Sequence, residues 1–266
     1  MVRGAAVAAS AAEGGDASRP QRYSIVAPTY NEAENVPLLV ALVHEVCSAA
    51  GLDYEIVIVD DASPDGTADV RMMMGSRWEV VRALQAAYGP DRLLLAPRSR
   101  KLGLGSAYAH GLRRASGGWV ILMDADLSHH PKYIPAMVAR QAETGADVVY
   151  GSRYLPGGGV AGWDAARKLT SRGANVLART LLGLAASDLT GAYRLYRRDM
   201  LAALLPQCAC TGYAFQMEMM ARAAASGARM AEVPIVFVDR LYGTSKLGAH
   251  EFAQFLVGLV RLLLQL

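Results

Sequence analysis

The feature that most constrains the fold of this chain is the alternation of short apolar runs with stretches of helical periodicity. Six runs are predicted to be β-strands: residues 23–27, 55–59, 93–96, 120–123, 147–150 and 232–238. Helices are predicted from Asn35 onward, from Thr67 through Met74, over 106–115 and over 133–143. Strands separated by helices are typical of α/β proteins, in which a mostly parallel, Rossmann-like sheet has helices on both faces.

Polar side chains cluster directly after the predicted strands. They are Asn31, Glu32, Asp60, Asp61, Asp65, Asp124 and Asp126. In open α/β sheets, ligands bind outside the carboxyl ends of the strands. Because these polar residues all follow strand ends, the sequence predicts one functional site at that edge of the sheet.

Asp124 and Asp126 form the most informative pair in this group. They follow the apolar run 120–123, and residues i and i+2 of an extended chain point to the same side. Two neighbouring carboxylates repel each other unless a cation lies between them, and hard oxygen ligands suit Mg²⁺ or Mn²⁺ shared with substrate phosphates. Taken alone, the pattern is also compatible with a solvated strand exit.

The common nucleotide-binding motifs of other α/β enzymes are missing from the expected places. A dehydrogenase would carry G-x-G-x-x-G after the first strand, where this chain has residues 27–32, APTYNE. The glycines Gly103 and Gly105 lie too late in the sequence for that role. No G-x-x-x-x-G-K-[ST] loop is present, so kinase and NTPase interpretations also fail.

Length and composition indicate an enzyme-sized domain without a conventional membrane span. A chain of 266 residues can bury a large core, and we predict one domain over 21–248. Residues 1–20, rich in Ala, Gly and Ser, are predicted to be a disordered extension. No run of 18 apolar residues occurs. The three cysteines make neither a disulfide framework nor a zinc site, and a net charge of +3 does not indicate nucleic-acid binding.

Four sequence blocks together resemble the inverting family-2 glycosyltransferases, which have a GT-A fold. They are residues 27–32 (APTYNE), 59–67 (VDDASPDGT), 123–131 (MDADLSHHP) and 151–154 (GSRY). Within that family, later segments resemble the dolichyl-phosphate mannosyltransferases. These segments are 162–164 with Arg167 and Lys168, 187–191, 215–219, and 238–240 with 243–247.

The resemblance implies roles for individual residues. Residues expected to bind the donor nucleotide sugar are Pro28, Tyr30, Glu32, Val59, Asp61, Asp124, Ala125, Asp126, Arg153, Arg240 and Lys246. The metal ligands would be Asp124, Asp126 and Ser128, with Ser128 standing where some members have Gln. Asp126, Arg153 and Arg167 would be catalytic, with Arg167 at the acceptor phosphate.

The activity implied by the resemblance is transfer of mannose from GDP-mannose to dolichyl phosphate, assisted by Mg²⁺ or Mn²⁺. The acceptor phosphate would be the nucleophile, giving a β-mannosyl phosphate. A phosphate monoester has a second pKa near ~6, so it needs no histidine base. Two alternatives remain open: transfer of glucose or another activated sugar to a polyprenyl phosphate, and an inactive sugar-nucleotide-binding subunit. Nothing in the residues alone distinguishes guanine from uracil, or mannose from glucose.

Two apolar helical stripes bear on membrane contact. The first includes Leu169, Val176, Leu177, Leu181 and Leu184; the second, in a C-terminal amphipathic helix over 249–266, includes Phe252, Phe255, Leu256, Leu259, Val260 and Leu263. Each is compatible with a core helix or with a helix at the bilayer interface. The resemblance implies a peripheral enzyme at the cytosolic face of the endoplasmic reticulum, tethered by small hydrophobic membrane subunits.

Other conspicuous residues receive structural interpretations. Arg194, Arg197 and Arg198 are predicted to form a solvated basic face. His129 and His130 are predicted to be loop residues, with His129 at most near the site. Tyr213 and Phe215 are expected to pack in the core.

Overall fold

The computed structural model describes residues 21–63, 79–210, 212–239 and 249–265. The strands are β1 (Arg22–Thr29), β2 (Asp53–Asp60), β3 (Leu93–Pro97), β4 (Trp119–Leu122), β5 (Val148–Ser152), β6 (Gly159–Ala161), β7 (Arg194–Arg197), β8 (Met230–Pro234) and β9 (Val236–Val238). The helices are α1 (Asn35–Ala49), α2 (Glu79–Tyr88), α3 (Leu104–Arg114), α4 (Ile134–Thr144), α5 (Ala165–Leu181), α6 (Arg198–Leu204), α7 (Tyr213–Ala225) and α8 (Ala249–Gln265). Predictions for 1–20, Asp65, the helix from Thr67 to Met74, Arg240 and Lys246 lie outside the described residues.

Seven strands form the central sheet, in the order β3-β2-β1-β4-β7-β5-β8. All neighbouring pairs are parallel except those of β7, which runs antiparallel between β4 and β5. The predicted mostly parallel sheet is therefore confirmed. The strand β7 was not predicted, because its sequence, RLYR, begins and ends with charged residues.

Two apolar layers cover the sheet, as predicted. One contains buried residues of α1 and α4, and the other contains buried residues of α3, α6, α7 and α8. The helix α3 lies very close to the sheet at Gly111, where a Cβ atom would come within 2.5 Å of Val26 Cγ1 and 2.9 Å of Val59 Cγ2. Close packing of this kind places the amino end of α3 beside the carboxyl ends of β1 and β2.

The run 232–238, predicted as one strand, is two strands in different sheets. β8 ends at Pro234 in the main sheet, whereas β9 pairs with β6 in a separate two-stranded parallel sheet. Proline has no N–H to continue a ladder, and the next residue, Ile235, donates its N–H to Ser152 O at 2.9 Å. The change of direction brings the end of β9 beside the loop after β4, where Val238 N donates to Ser128 O at 3.3 Å.

The two predicted amphipathic segments are helices, and the side chain of Phe252 lies outside the described ones. In α5, Leu169, Val176, Leu177 and Leu181 are exposed, while Leu184 lies beyond the helix and is half-buried. In α8, the single predicted stripe is divided: Phe255 and Leu259 are buried, whereas Leu256, Val260 and Leu263 are exposed. No helix in the described part of the chain combines the length and apolar character needed to cross a bilayer.

Candidate active site

The turn after β2 is built around Asp60, which has a structural role. Asp60 is fully buried, and its carboxylate accepts hydrogen bonds from Thr29 Oγ1 at 3.1 Å, Ser63 Oγ at 2.6 Å and Ser63 N at 3.0 Å. Ser63 Oγ in turn accepts the N–H of Asn31, which has a φ of 61°. Asp60 therefore joins the ends of β1 and β2, leaving its neighbour Asp61 to face the site.

Asp61 is held by a residue that sequence analysis did not identify. Arg98 Nη1 donates to Asp61 Oδ1 at 2.6 Å, and Arg98 Nη2 donates to Ser106 Oγ at 2.6 Å. Burial raises the pKa of Asp61, although the neighbouring Arg98 guanidinium opposes that rise. The basic sequence PRSRK at 97–101 was the available signal, and its Lys101 Nζ lies 4.6 Å from the centroid of the Tyr30 ring.

The other predicted nucleotide contacts are divided between accessible and covered positions. Tyr30 is 37% exposed and Pro28 is half-buried, while Glu32 accepts a hydrogen bond from Asn35 Nδ2 at 2.6 Å. The side chain of Val59 is fully buried beneath α3, so a contact from this residue to a nucleotide would have to come from its backbone.

The acid pair lies in the loop after β4, as predicted. Asp126 is 7% exposed, and its Oδ1 accepts hydrogen bonds from Ser128 N at 3.1 Å and Ser128 Oγ at 2.5 Å. The side chain of Asp124 is 39% exposed, and the intervening Ala125 is buried. Ser128 therefore orients the Asp126 carboxylate through its hydroxyl proton, in addition to its predicted place among the metal ligands.

His129 lies directly against this loop. Its Nδ1 lies 3.2 Å from the backbone N of Asp124 and 3.4 Å from Asp124 Oδ2. The ring is 2% exposed and stacks on Tyr193, with Phe237 at its edge. Burial lowers the pKa of His129 to about 4, against the opposing effect of Asp126. His129 is thus a neutral support for the acid loop, and its prediction as a loop residue near the site is confirmed.

Arg153 lies at the carboxyl end of β5 and is fixed by a buried carboxylate. Its Nε donates to Asp188 Oδ2 at 2.6 Å, its Nη2 to Asp188 Oδ1 at 2.8 Å, and Nη2 also to Thr190 Oγ1 at 2.7 Å. Burial alone would raise the pKa of Asp188, but the Arg153 guanidinium and its hydrogen bonds hold that pKa below its usual value. Asp188 was noted only as part of the block 187–191, and its partnership with Arg153 was not predicted.

Arg167, on the first turn of α5, also has a carboxylate partner, but through a single, longer contact. Its Nη1 lies 3.3 Å from Asp239 Oδ2, and its guanidinium lies over the Trp163 ring at 4.2 Å from the centroid. Gly162 permits this approach, because it has a φ of 83° and a Cβ there would lie 3.0 Å from Asp239 Cβ. The guanidinium of Arg153 lies 5.5 Å from the centroid of the same Trp163 ring. The structure therefore brings both predicted phosphate-binding arginines to one indole.

The basic cluster on β7 and at the start of α6 differs from its prediction. Arg194 is fully buried, so its assignment to a solvated face is wrong. Arg198 is half-buried and donates to the carbonyls of Leu112, Ala115 and Gly117 at the end of α3. Arg197 is the exposed member of the cluster and pairs with Asp147 and Asp199. Phe215 is buried, as predicted; the side chain of Tyr213 lies outside the description.

The chemistry of the acid loop fits a divalent ion that is shared with a ligand. In the described ranges, no three His, Cys, Asp or Glu side chains converge to form a metal site by themselves. Mg²⁺ and Mn²⁺ are commonly bound by one or two carboxylates, with water and phosphate oxygens completing the coordination. Asp124 and Asp126 supply hard oxygen donors of this kind, so the phosphates of a ligand would complete the site.

Comparison with known proteins identifies the family. The chain matches the glycosyl transferase family 2 over residues 24–205, a segment that includes the acid loop, Arg153, Arg167 and Asp188. The chain belongs to glycosyl transferase family 2. As a member of that family it is a glycosyltransferase, which confirms the family indicated by the sequence motifs.

Two curated relatives of this glycosyltransferase cover nearly the same length. It is 40% identical over 241 residues to the polyprenol monophosphomannose synthase of Mycolicibacterium smegmatis, with 88% of this chain and 84% of the relative covered. It is 38% identical over 244 residues to the undecaprenyl-phosphate mannosyltransferase of Micrococcus luteus, with 90% and 93% covered.

Solved structures share the fold of this glycosyltransferase. Glucosyl-3-phosphoglycerate synthase of Mycobacterium tuberculosis, in complex with Mn²⁺, uridine diphosphate and glucosyl-3-phosphoglycerate, gives a TM-score of 0.62 at 19% identity, covering 91% of this chain and 80% of that one. Mannosyl-3-phosphoglycerate synthase of Rubrobacter xylanophilus gives 0.63 at 20% identity, covering 92% and 73%. At these identities the likeness concerns the fold alone, and it confirms the predicted GT-A architecture.

Proposed function

We propose that this glycosyltransferase transfers mannose from GDP-mannose to a polyprenyl phosphate, with the acceptor phosphate as the nucleophile. One observation carries the proposal: Arg153 and Arg167, each held by its own carboxylate, lie over the same Trp163 ring. Two guanidinium groups near one indole concentrate positive charge in this part of the site, and their planar forks match phosphate oxygens. The names of the two curated relatives, which specify polyprenol and undecaprenyl phosphates, support the same acceptor class.

The reaction needs charge neutralisation more than a base. At neutral pH the acceptor phosphate is largely dianionic, since its second pKa is near ~6. One of its oxygens forms a bond to the anomeric carbon of mannose, the bond from that carbon to the diphosphate oxygen breaks, and the electron pair leaves with GDP. Attack from the opposite side gives the β-mannosyl phosphate. His129 is buried and its pKa is about 4, so its ring would be a weak base, and the dianionic acceptor requires none.

The donor would lie along the carboxyl ends of β1, β2 and β4. Asp61, with Tyr30 and Glu32, would contact the nucleoside, and Asp124 and Asp126 would lie along the diphosphate. A Mg²⁺ or Mn²⁺ ion held there would act as a Lewis acid that stabilises the charge developing on the departing GDP. Asp126 is the principal proposed ligand, because Ser128 fixes its carboxylate by two hydrogen bonds. The remaining proposed donor contacts are Pro28, Val59, Ala125, Arg153, Arg240 and Lys246.

A lipid acceptor implies membrane contact, and two exposed surfaces suit it. The outer face of α5 combines exposed Leu169 and Val176 with the exposed basic residues Lys168, Arg172 and Arg179, and the helix contains no acidic residue. Apolar and basic side chains together favour the interface of a bilayer with anionic lipids. In α8, Val257 and Leu264 are 70% and 83% exposed. We propose that these two surfaces face the membrane that carries the acceptor.

Dolichyl phosphate is one member of the proposed acceptor class. For that member we retain the predicted location at the cytosolic face of the endoplasmic reticulum, with small hydrophobic subunits as tethers. Both curated relatives come from bacteria, so an undecaprenyl phosphate is an equally direct choice for a first assay.

A panel of donors and acceptors tests the proposal. The purified protein is incubated with Mn²⁺ or Mg²⁺, radiolabelled GDP-mannose, GDP-glucose, UDP-glucose or UDP-mannose, and undecaprenyl or dolichyl phosphate in detergent. The proposal predicts label in the organic phase with GDP-mannose, and at least about tenfold less with each other donor. Arg167→Gln should abolish most of that transfer, whereas Arg179→Gln on the same helix should not. Transfer from UDP-glucose alone would replace the proposal with the glucosyltransferase alternative. Binding of a nucleotide sugar without transfer from any donor would favour an inactive subunit.

A further inference from the structure

Arg194 is a fully buried cation beneath the candidate active site. It is 0% exposed, and on β7 it pairs in register with Leu122 of β4 and with Tyr150 of β5. The first of these strands leads within four residues to Asp126, and the second leads within three to Arg153. The position of Arg194 therefore supports both the acid loop and the arginine that is fixed by Asp188.

The hydrogen bonds of Arg194 join two other elements of the site. Its Nη2 donates to Leu189 O at 2.9 Å, and its Nη1 donates to Gln216 O at 2.8 Å and to the Tyr196 hydroxyl at 3.2 Å. Leu189 follows Asp188 directly, and Gln216 lies on the first turn of α7. Arg194 thus ties the loop that holds Arg153 to the helix beside it.

The peptide groups of Leu189 are held from two sides. Its carbonyl accepts from Arg194, and its N–H donates to Asn175 Oδ1 of α5 at 2.7 Å. Asn175 is 2% exposed, and its Nδ2 also donates to Thr190 Oγ1 at 3.1 Å. The segment 188–190, which makes three hydrogen bonds to the Arg153 side chain, is therefore fixed on both flanks.

The charge of Arg194 is not explained by a direct ion pair. Within the described ranges, its guanidinium donates to two carbonyl oxygens and one hydroxyl oxygen, and its Nε has no hydrogen-bond partner. A buried cation without a contacting acid is costly, and neutral donors could satisfy the same carbonyls. The field of this charge reaches the site, because it contributes, after Arg153, to the lowered pKa of Asp188.

We propose that Arg194 is a positioning residue for phosphate binding. Through Leu189 it fixes the segment that carries Asp188, and through Asp188 it fixes the orientation of Arg153. Its buried charge also adds to the positive potential beneath the phosphate positions, where low dielectric increases its effect. This inference rests on the proposed function, because it takes phosphate groups as the ligands.

Arg198 provides a matched control four residues away. Its guanidinium also donates to backbone carbonyls, those of Leu112, Ala115 and Gly117, but these lie next to the amino end of β4, at the opposite edge of the sheet from the acid loop. Replacing Arg198 by Lys therefore removes a similar set of contacts without touching the segment 188–190.

A double-mutant cycle separates positioning from general stabilisation. We would measure kcat/KM for the polyprenyl phosphate in R194K, R153K and the double variant, and in R198K with and without R153K. R194K and R153K should each lower kcat/KM by about tenfold or more, and together by little more than the worse single variant. For the control pair, the fold-losses in kcat/KM of R198K and R153K should multiply in their double variant. The proposal would be overturned if the fold-losses of R194K and R153K also multiplied in their double variant. A wild-type kcat/KM in R194K would overturn it as well.

Two further measurements keep the outcome decisive. If R194K does not fold, Asn175→Ala releases Leu189 from its other side. The fold-losses in kcat/KM of Asn175→Ala and R153K must then not multiply in their double variant.

If the wild-type protein transfers no sugar to any polyprenyl phosphate, the proposed function has failed. The same cycle is then measured on the Kd for GDP with Mn²⁺ by calorimetry. Non-multiplying losses in Kd would then still support Arg194, whereas multiplying losses would refute it.

Discussion

Arg153 and Asp188 form a two-point ion pair in the interior of the protein, with Nε to Oδ2 at 2.6 Å and Nη2 to Oδ1 at 2.8 Å. The guanidinium side chain is 7% exposed and the carboxylate side chain 0%. The same carboxylate accepts the N–H groups of Arg153, Thr190 and Gly191. A predicted catalytic arginine is therefore fixed in place by a buried acid that the sequence alone did not reveal.

Asp188→Asn should destabilise the protein severely, because it leaves Arg153 as a buried charge without its counter-ion. We expect a loss of about 3–5 kcal/mol in the free energy of unfolding, measured by urea denaturation. Asp199→Asn is the matched control, since Asp199 pairs with Arg197 on the surface and its side chain is 65% exposed. The control should change stability by less than about 1 kcal/mol. Equal effects of the two variants would contradict the importance given to the buried pair.

Two glycines on helices should respond in opposite directions to alanine. At Gly111 a Cβ would collide with Val26 and Val59, so Gly111→Ala should cost about 1–3 kcal/mol. At Gly173 of α5 a Cβ would meet no heavy atom of the described chain within 4 Å other than the adjoining backbone of its own helix, so Gly173→Ala should stabilise by up to about 1 kcal/mol. Thermal unfolding of both variants measures the difference. A stabilised Gly111→Ala would show that α3 is not packed closely on β1 and β2.

Much of the fold was predictable because apolar runs and helical periodicity report burial directly. Five of the six predicted strands occur at the expected positions, and the sixth is divided at Pro234. The strand β7 was missed because it begins with a charged residue, Arg194, whose guanidinium donates to carbonyl groups outside the strand, those of Leu189 and Gln216. Local sequence carries no signal for a partner of that kind.

The places of the candidate site residues in the fold were predictable from consecutive motifs, but the pairs that these residues form were not. The acid loop and both arginines were identified from motifs, and the structure places Arg153 and Arg167 over one tryptophan. Their partners Asp188 and Asp239 are 35 and 72 residues away in sequence. Pairings over such distances are decided by the topology of the sheet, which single-sequence patterns do not specify.

Polar substitutions on the outer faces of α5 and α8 should weaken membrane association without unfolding the protein. Leu169→Ser with Val257→Ser replaces side chains that are 74% and 70% exposed, so the midpoint of thermal unfolding should stay nearly constant. Flotation with vesicles containing anionic lipid measures the effect. Leu38→Ser on α1, at 42% exposure, is a control outside the two surfaces and should leave flotation unchanged. Unchanged flotation of the double variant would show that these surfaces of α5 and α8 do not contribute to membrane association.

Stability should decline at alkaline pH because of Cys47. Burial raises the pKa of its thiol to about 12, compared with about 8.5 in an unfolded chain. The folded protein therefore keeps a proton that the unfolded chain releases, so this contribution is complete below about pH 8.5 and is lost as the pH rises toward 12. Cys47→Ala should show a shallower decline, by up to about 1.4 kcal/mol per pH unit. Parallel curves for the two proteins in urea titrations at pH 8 to 11 would contradict this assignment.

In the proposed reaction, the acids after β4 hold a divalent ion against the diphosphate of the donor. Calorimetric titration with GDP, in Mn²⁺ and after complete metal removal, tests it most directly. This metal site predicts that metal removal weakens GDP binding to the wild-type protein by at least about tenfold, or 1.4 kcal/mol. It also predicts that Asp126→Asn abolishes this dependence, whereas Asp199→Asn preserves it. Equal GDP affinity of the wild-type protein with and without the ion would contradict the claim.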